Sequence, residues 1–322
     1  MVLGASGFIG GAIAIRLAAE GHQVGRPGRS EANLGDPQAM ADAAAGFTHV
    51  VNAAGIVSPR AHPRALRWTH VAGMENLLNA CRHSAVQRLV HMSCTDVTLS
   101  NQDRVHWDEQ KSISGKPYGA RACSLQLAEE LALSASGLEV TSIRPTWVWG
   151  PGDVSRLPQL VREGLDGGIR LVGDGRNYLS TTYIDHVAQA ALAALQAEQA
   201  PGRAFHVADA TFQHARDFFS ALSQALGLPK PRETTSLPLA WPMARLRGGG
   251  EELLQRGRSN LFDFSMAVGK LGYEPDVTME DGLAALARWV EEQGGLEAVA
   301  ALERPPPGAS SVDAQVEAAG GD

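Results

Sequence analysis

The sequence predicts an α/β fold of the doubly wound type, in which helices cover both faces of a parallel sheet. Three observations lead to this prediction. A short apolar stretch is followed by glycines at positions 4, 7 and 10 and then by a helical pattern. Apolar runs alternate with helical patterns through the first half of the chain, as they do in βαβ units. A further strand-like segment, residues 204–207, returns after this alternation has ended.

The predicted elements of the first half follow one another in a regular order. Strands are predicted at residues 2–3, from 21–24 onward, at 48–53, at 87–93 and at 138–144. Helices are predicted at residues 10–20, from Asp36-Pro37 onward, at 70–82 and at 118–134. Asp36 is a typical helix N-cap, and Pro37 suits the first helical position because an N–H there would have no helical partner. Only three residues precede Gly4, so either the first strand is short or the native start lies upstream of Met1.

The pattern changes after Pro151-Gly152, which predicts a second, smaller domain. Residues 1–152 are expected to form the sheet domain, to which residues 176–210 return, and residues 153–302 mainly the second domain. Within it, residues 233–250 are rich in Pro, Leu, Trp, Met and Gly and are expected to form an apolar flap. Residues 303–322 consist largely of Pro, Gly, Ser and Ala and are predicted to be disordered.

The composition excludes several classes of protein. The chain has 322 residues, of which 44% are hydrophobic and 20% charged, as is ordinary for a globular domain. A net charge of −7 indicates no basic face, so nucleic acid is not an expected partner. Its three cysteines show no metal-ligand spacing. No signal peptide pattern and no membrane-spanning run is present, so we expect a cytoplasmic protein with reduced thiols and no metal site.

The three glycines at the first turn have separate functions in a dinucleotide site. Gly4 allows the tight turn, Gly7 lets the backbone approach a pyrophosphate, and Gly10 permits close packing of the helix on the strand. The helix that follows presents free N–H groups and the positive end of its dipole to the phosphates. This pattern predicts that the turn binds a dinucleotide.

The residues after the second predicted strand bear on the choice between NAD and NADP. An acidic residue there would favour NAD by binding the ribose 2′-hydroxyl, and the sequence has none. Arg26 and Arg29 stand there instead, and two guanidinium groups suit a 2′-phosphate, which favours NADP. The alternative is that both are solvated loop residues. Asn33, followed by Leu34, is placed to contact the adenine edge.

Together with further motifs, the glycine turn resembles the extended short-chain dehydrogenase/reductase family, whose members include NAD-dependent epimerases and dehydratases. The resemblance runs from residue 1 to about residue 295 and rests on GASGFIG (4–10), NAAG (52–55), HVAGMENLLNAC (70–81), PYG (117–119), RPTWVWGPG (144–152), GDG (173–175) and YIDHV (183–187). The last group and the sequence around Arg144 are most similar to the 3β-hydroxysteroid dehydrogenase-like and 2-alkyl-3-ketoacid reductase branch. The resemblance implies a Rossmann nucleotide-binding domain, a C-terminal substrate domain, an active site between them and, as is common in the family, a homodimer.

The resemblance also implies which residues contact the cofactor and which carry the chemistry. The implied cofactor contacts are Gly4, Ser6, Gly7, Phe8, Ile9, Gly10, Ala53, Ala54 and Gly55, with Pro145, Trp147 and Val148 beside the nicotinamide. Tyr118 is the implied catalytic tyrosine. It would give a proton to the carbonyl oxygen as hydride reaches the carbonyl carbon. Because a free tyrosine has a pKa of about 10, the family places a lysine four residues later to lower it.

Two of these catalytic positions depart from the family pattern. The lysine position holds Ala122, and Arg121 beside it is able to supply positive charge but not to relay a proton. The alternative is that Arg121 is a surface residue. The family's hydroxyl position falls on Cys94, a weak hydrogen bonder that Ser93 or Thr95 would replace after a small shift. The other interpretation of Cys94 is a small buried residue.

The sequence therefore supports three hypotheses about function. The first is an NAD(P)H-dependent oxidoreductase that acts on a hydrophobic ketone or alcohol, since Trp147, Trp149 and the apolar residues 237–243 suit such a substrate. The second is a lyase, cyclase or isomerase of a biosynthetic pathway on the same scaffold, which the altered catalytic positions suggest. The third is a protein that senses nucleotide without catalysis.

Overall fold

The computed structural model describes residues 1–111 and 115–302 of the chain. The strands are β1 (Val2–Leu3), β2 (His49–Asn52), β3 (Arg88–Met92), β4 (Arg104–Trp107), β5 (Glu139–Pro145), β6 (Trp147–Trp149), β7 (Arg170–Leu171), β8 (Thr181–Tyr183), β9 (Arg203–Val207), β10 (Arg232–Glu233) and β11 (Asn260–Phe262). The helices are α1 (Phe8–Ala19), α2 (Pro37–Ala44), α3 (Pro63–Arg67), α4 (Gly73–Arg82), α5 (Ala120–Leu133), α6 (Leu157–Leu165), α7 (Ile184–Gln196), α8 (Ala215–Ala225), α9 (Leu237–Leu246), α10 (Gly250–Gly257), α11 (Ser265–Leu271), α12 (Met279–Glu292) and α13 (Leu296–Ala301). A π-helical turn, Trp68–Ala72, joins α3 to α4.

Within the described residues, five parallel strands form the central sheet in the order β1-β2-β3-β5-β9. One face of the sheet buries Val51, Val90 and Ile143 under α1 and α7. The opposite face buries Leu89 and Val140 under α2, α4 and α5. Because both faces are covered, consecutive residues within these strands are buried rather than every second one. The prediction of a doubly wound parallel sheet is confirmed.

The second strand predicted from residues 21–24 onward does not form, and this prediction was wrong. In the part of the chain that the structure describes, residues 22–28 contain no regular strand. Their link to the sheet is a hydrogen bond of 2.9 Å from the Val2 N–H to the Gly25 carbonyl. Two physical causes are present: β1 offers a ladder of only two residues, and Pro27 has no N–H to donate.

The helix predicted to begin at Tyr118 begins instead at Ala120. Gly119 precedes it with φ of +100°, a conformation that side-chain-bearing residues rarely adopt, and this turns the chain away from the helix axis. Tyr118 is therefore outside the helix and does not share a helical face with Ala122. The predicted cap of α2 is confirmed, since the Asp36 carboxylate accepts hydrogen bonds from the N–H groups of Gln38 and Ala39.

A second core lies among β6, β8, α6, α8, α12 and α13, and it includes Leu160, Phe218, Leu222, Leu286 and Val299. Several contacts join this half of the chain to the first half, and two of them lie away from the central sheet. β11 pairs with β4, and α9 and α10 pack against α5. The predicted flap at residues 233–250 consists mainly of α9 and the glycine turn after it. The tail predicted to be disordered, residues 303–322, lies outside the described residues.

Among the helices of residues 1–111 and 115–302, none is both long enough and apolar enough to cross a membrane.

Candidate active site and nucleotide-binding edge

The glycine turn between β1 and α1 is dictated by backbone packing. Gly4 has φ of +74°, and a Cβ there would lie 2.7 Å from the Ala53 carbonyl oxygen. A Cβ at Gly10 would overlap the carbonyl oxygen of Gly4. The Gly7 N–H donates to the Gly4 carbonyl at 2.9 Å and closes the turn. Side chains at positions 4 and 10 would thus push β1, α1 and the segment after β2 apart.

The start of α1 is open to an anion. Gly7 is its N-cap and supplies no side-chain hydrogen bond, and the first turn contains no acidic residue. Ser6 and Gly7 are exposed, while Phe8 and Ile9 pack their side chains against the core of the second half of the chain. The unused N–H groups at this helix end and the dipole of α1 suit a pyrophosphate. The residues present therefore fit the dinucleotide that the glycine pattern predicts.

The loop after β2 completes this edge of the sheet. The Ala53 N–H donates to the Leu3 carbonyl at 3.1 Å, and the Ala54 N–H donates to the Asn52 side-chain oxygen at 3.2 Å. Gly55 lies against His70, since a Cβ there would be 3.3 Å from His70 Nε2. The carboxyl ends of β1 and β2 thus present small residues side by side, where doubly wound folds bind nucleotides.

The residues predicted to contact the adenosine differ in whether they already form hydrogen bonds within the protein. Arg26 donates to the Ala14 carbonyl of α1 at 3.2 Å. Arg29 is exposed, and among the described residues its guanidinium has no hydrogen-bond partner. The Asn33 side-chain oxygen accepts from the Gly35 N–H at 3.0 Å, and the buried Leu34 accepts from Asn76 through its carbonyl. Arg29 is therefore the arginine of the pair that is free to meet a phosphate.

Arg121 lies at the centre of a buried charged cluster, which we call the arginine cluster and which consists of Asp96, Arg121 and Glu251. Its Nε donates to Glu251 at 2.7 Å, and its Nη2 pairs with Asp96. Its Nη1 lies 3.9 Å from the Cys94 sulfur. Gln255 also donates to Asp96, at 2.7 Å. The surface interpretation of Arg121 was wrong, because its side chain is only 6% exposed.

The pKa values of the two carboxyl groups of the cluster are shifted in opposite directions. Burial by itself would raise the pKa of Asp96, but the charges of Arg121 and Arg104 hold that pKa below its usual value. Burial raises the pKa of Glu251 to about 7, although Arg121 pulls it the other way. Burial lowers the pKa of Arg121, but Asp96, Cys94 and Glu251 together raise that pKa by more, so the guanidinium stays charged. One strong ion pair and one carboxyl that titrates near neutrality therefore lie side by side.

Cys94 lies close to this cluster, and Ser93 precedes it in the chain. Burial raises the pKa of Cys94 to about 11, so its thiol is neutral at neutral pH and is a weak nucleophile. The buried Ser93 hydroxyl has no partner among the described residues. Thr95 uses its carbonyl to accept from Arg104 at 2.7 Å.

Tyr118 lies under the second half of the chain. Its ring centroid is 4.9 Å from that of Trp241 in α9, and a Cβ on Gly250 would be 2.5 Å from its hydroxyl oxygen. Ala122 is fully buried, and Leu99, Leu237 and Leu254 occupy its surroundings. The position of the family's lysine is thus an apolar contact.

His70 connects the nucleotide-binding edge to α5, a role that its sequence position alone did not indicate. Its Nε2 accepts from the Ile56 N–H at 3.0 Å, which places its proton on Nδ1, 2.8 Å from the Ser124 hydroxyl. Ser124 in turn donates to the Arg121 carbonyl at 2.8 Å. Burial lowers the pKa of His70 to about 4, so the ring is neutral. The hydrogen bonds therefore run in one direction, from the Ile56 N–H through His70 and Ser124 to the Arg121 carbonyl.

A cavity of about 110 Å³ opens beside the arginine cluster. Its apolar side is formed by Val57, Pro59, Trp147 and Leu160, and its charged side by Arg121, Arg156, Glu252 and Arg256. Pro145 and Val148 are buried at the end of β5 and in β6, so Trp147 is the residue of that segment that reaches the cavity. Tyr118 and Cys94 are not part of this lining in the described part of the chain.

Two members of the arginine cluster, Asp96 and Glu251, were not predicted from the sequence. Asp96 follows Cys94 by two residues, so its proximity to the predicted site was a usable signal. Glu251 lies 130 residues after Arg121, in a glycine-rich segment with no motif, and nothing in the sequence indicated it. Over residues 1–111 and 115–302, no group of three or more His, Cys, Asp or Glu side chains is arranged to hold a metal ion.

The parallel sheet, the glycine turn and the cavity at the carboxyl ends of the strands define a nucleotide-binding α/β protein. The sequence model of the NAD dependent epimerase/dehydratase family matches residues 1–208, and the chain belongs to this family. The resemblance stated from the motifs is thereby confirmed.

Similar proteins extend over nearly the whole chain. The 2-alkyl-3-oxoalkanoate reductase of Stenotrophomonas maltophilia is 30% identical, over 89% of this chain and 97% of its own length. The 4-hydroxy-2-methyl-3-oxo-4-farnesyl-3,4-dihydroquinoline-1-oxide ketoreductase of Stigmatella aurantiaca is 28% identical, over 88% of this chain and 94% of its own. The dTDP-glucose 4,6-dehydratase of Streptomyces venezuelae, solved with NAD bound, has a TM-score of 0.73 at 22% identity, over 91% of this chain and 97% of its own. The last of these shows the fold alone.

Proposed function

We propose that this protein is an NAD(P)H-dependent oxidoreductase that reduces a ketone, or oxidises the corresponding alcohol, on a hydrophobic small molecule. The observation that carries the proposal is the cavity between the loop after β2 and Trp147, with the charged Arg121 on its wall. The names of the two reductases above support it, since both describe ketones that carry hydrocarbon groups. An apolar wall that faces a charged wall with the Arg121 guanidinium suits a hydrophobic molecule that develops negative charge on an oxygen.

The nucleotide-binding edge would hold the cofactor in the proposed reaction. The N–H groups at the start of α1 would bind the pyrophosphate, while Ala53, Ala54 and Gly55 let the cofactor approach the backbone. When bound, NAD(P)H supplies the hydride. Trp147 would border the nicotinamide and close one side of the cavity. We favour NADP over NAD because Arg29 is an exposed arginine without a partner in the described structure.

Tyr118 is the proton donor in this proposal, and Arg121 stabilises charge on the substrate oxygen. Arg121 lines the cavity and remains protonated, so it is able to donate a hydrogen bond but not a proton. Tyr118 is covered by Trp241, so a substrate would meet its hydroxyl only if α9 moved outward. Cys94, whose sulfur lies 3.9 Å from Arg121 Nη1, and the adjacent Ser93 would lie near this oxygen site in the proposed reaction.

The test is nicotinamide absorbance with a hydrophobic ketone, for the wild-type protein and for Tyr118→Phe. We expect the variant to lose about 10²- to 10⁴-fold in kcat, the usual contribution of general acid catalysis. Tyr178→Phe is the matched control, because Tyr178 stacks on His214 and does not line the cavity. A Tyr118→Phe protein with full turnover would show that Tyr118 is not the donor.

One observation favours a second function, in which the same scaffold performs a lyase, cyclase or isomerase reaction. The family's lysine position is an apolar contact of Ala122 with Leu237 and Leu254, so the usual support for the tyrosine is missing. Product formation without net change in nicotinamide absorbance would establish this alternative.

If Ala122→Lys creates reductase activity in a protein that otherwise only binds nucleotide, the nucleotide-sensing hypothesis is the correct one.

We place the protein in the cytoplasm, because Cys81, Cys94 and Cys123 are free thiols, as a reducing compartment maintains them. A homodimer remains a prediction from the family, and sedimentation of the purified protein tests it.

A further inference from the structure

Helix α9 is apolar on two opposite sides. Its inner side carries Leu237 and Trp241, which pack against the protein. Its outer side carries Leu239, Met243 and Leu246, which follow one another at the spacing of a single helical face. Leu239 is 75% exposed and Leu246 is 82% exposed. A helix that is apolar on both sides is normally buried on both, so the outer side of α9 is suited to contact an apolar surface beyond the described part of the chain.

Two segments near the cavity carry positive charge and no negative charge. Residues 234–250 include α9 and contain no Asp or Glu. Residues 56–72 include α3 and also contain no Asp or Glu. The exposed bases of the two segments are Arg60, Arg64, Arg67, Arg245 and Arg247. Because the whole protein has a net charge of −7, the rest of the chain is strongly acidic, and the expectation of no basic face does not hold here.

The two segments are neighbours in the fold. A guanidinium nitrogen of Arg60 lies 3.9 Å from a carboxylate oxygen of Glu252 in α10, and only residues 247–249 separate α10 from α9. Val57 and Pro59 line the same cavity as Glu252. Val57 is also exposed, so the apolar wall of the cavity continues to the surface. We call this surface the α9 face; it consists of the exposed side chains of residues 56–67 and 237–247.

We propose that the α9 face docks on the surface of a lipid bilayer that contains anionic lipids, with Leu239, Met243 and Leu246 among the acyl chains and the arginines at the headgroups. This goes beyond the oxidoreductase function proposed above, and docking requires no reaction. A second copy of this chain is disfavoured as the occupant, because an isologous contact would bring the arginines of both copies together. Nucleic acid is disfavoured because it offers no comparable apolar surface to the outer side of α9.

Docking would place lipid next to the helix that covers the proposed proton donor. Trp241 of α9 lies over Tyr118, with 4.9 Å between the ring centroids. The outward movement of α9 that a substrate requires would expose the apolar inner side of this helix. Exposure to lipid costs less free energy than exposure to water, so the bilayer surface would favour the open site.

Flotation of the purified protein with vesicles tests docking. The vesicles contain phosphatidylcholine and phosphatidylglycerol in a ratio of about two to one, or phosphatidylcholine alone. We expect wild type to float with the mixed vesicles at low salt, and to bind more weakly in high salt or without phosphatidylglycerol. Leu239→Gln with Leu246→Gln should weaken binding about 10- to 100-fold, because two exposed leucines lose their apolar contact. Arg245→Gln with Arg247→Gln should weaken it about 10- to 30-fold and reduce the preference for phosphatidylglycerol.

Ile15→Gln with Phe212→Gln is the matched control, because these side chains are 65% and 64% exposed and lie outside the α9 face. This control should bind vesicles as wild type does, and a loss equal to that of the leucine variant would overturn the inference. Circular dichroism reports folding. If the leucine variant does not fold, the arginine variant decides, and its unchanged binding to mixed vesicles would overturn the inference.

Absence of flotation by wild type would also overturn docking and would leave the oxidoreductase function untouched. If sedimentation then shows a dimer that the leucine variant abolishes, the α9 face is a contact between two copies of the chain. If the protein instead binds duplex DNA and the arginine variant does not, the face is a nucleic-acid site.

Discussion

The nucleotide-binding edge and the arginine cluster are built in opposite ways. The edge depends on contacts among backbone atoms of neighbouring residues, with Gly4, Gly7 and Gly10 inside seven positions of the chain. The cluster joins Asp96, Arg121 and Glu251, which three separate segments contribute. The edge tolerates almost no added atom, whereas the cluster tolerates no unbalanced charge. Steric variants therefore test the first, and charge variants test the second.

The largest effect is expected at Arg121. Replacing it with Met removes the direct ion-pair partner of the buried Asp96 and Glu251, which costs about 3–5 kcal/mol of unfolding free energy. Urea unfolding measures this loss. The triple variant Asp96→Asn, Arg121→Met, Glu251→Gln removes the charges together and should recover much of it. A single Arg121→Met protein as stable as wild type would mean that the cluster does not hold α10 on α5.

Gly10→Ala is the matching steric test. Its Cβ would overlap the Gly4 carbonyl, and an overpacked contact of this kind costs about 1–3 kcal/mol, with loss of NADPH affinity as the turn is displaced. Unfolding and calorimetric binding are both measured. Gly269→Ala, a helical glycine with no atom within 4 Å of the added Cβ, should keep wild-type stability and affinity. Similar behaviour of the two variants would contradict the packing argument.

The arginine cluster should also make stability depend on pH. The pKa of Glu251 is raised from 4.5 to about 7 in the folded protein, so the folded state binds this proton more tightly than the unfolded state. Its contribution is present below pH about 4.5 and is lost as pH rises through about 7, with a size on the order of 3 kcal/mol. The pKa of Asp96 is lowered, so its contribution to stability is lost only at more acidic pH. Urea unfolding at several pH values should show this decline in wild type but not in Glu251→Gln; an identical decline in both would assign it elsewhere.

The smallest effect is expected at the adenosine end of the edge. Arg29→Ala should weaken NADPH binding by about 0.5–1 kcal/mol, as befits an exposed charge pair, and leave NADH binding unchanged. Arg26→Ala is the control, because Arg26 is already engaged by the Ala14 carbonyl. Equal loss for NADH and NADPH in Arg29→Ala would remove the argument for NADP.

Local signals predicted much of the fold correctly. The Asp36 cap, the glycine turn and the strand at residues 48–53 depend on residues that are close together in the chain. The predicted strand after residue 21 failed because a strand needs a partner, and β1 is too short to supply one. The predicted first residue of α5 was wrong because the conformation of the residues before a helix depends on what they pack against. Here Gly119 packs against the Glu251 side chain. Catalytic roles for Tyr118, Arg121, Cys94 and Ser93 stay predictions.

The sequence by itself determined the doubly wound sheet and the dinucleotide turn, because periodicity and a seven-residue glycine pattern encode contacts between near neighbours. It also established that Ala122 replaces the lysine. Only the tertiary structure decided what surrounds that position: α10 brings Glu251 to Arg121, and Leu254 to Ala122. The pairing of Arg121 was likewise hidden in the sequence, where it is one arginine among 24. Whether such a charge is paired depends on which distant carboxylates the packing brings within reach, and no local pattern records that.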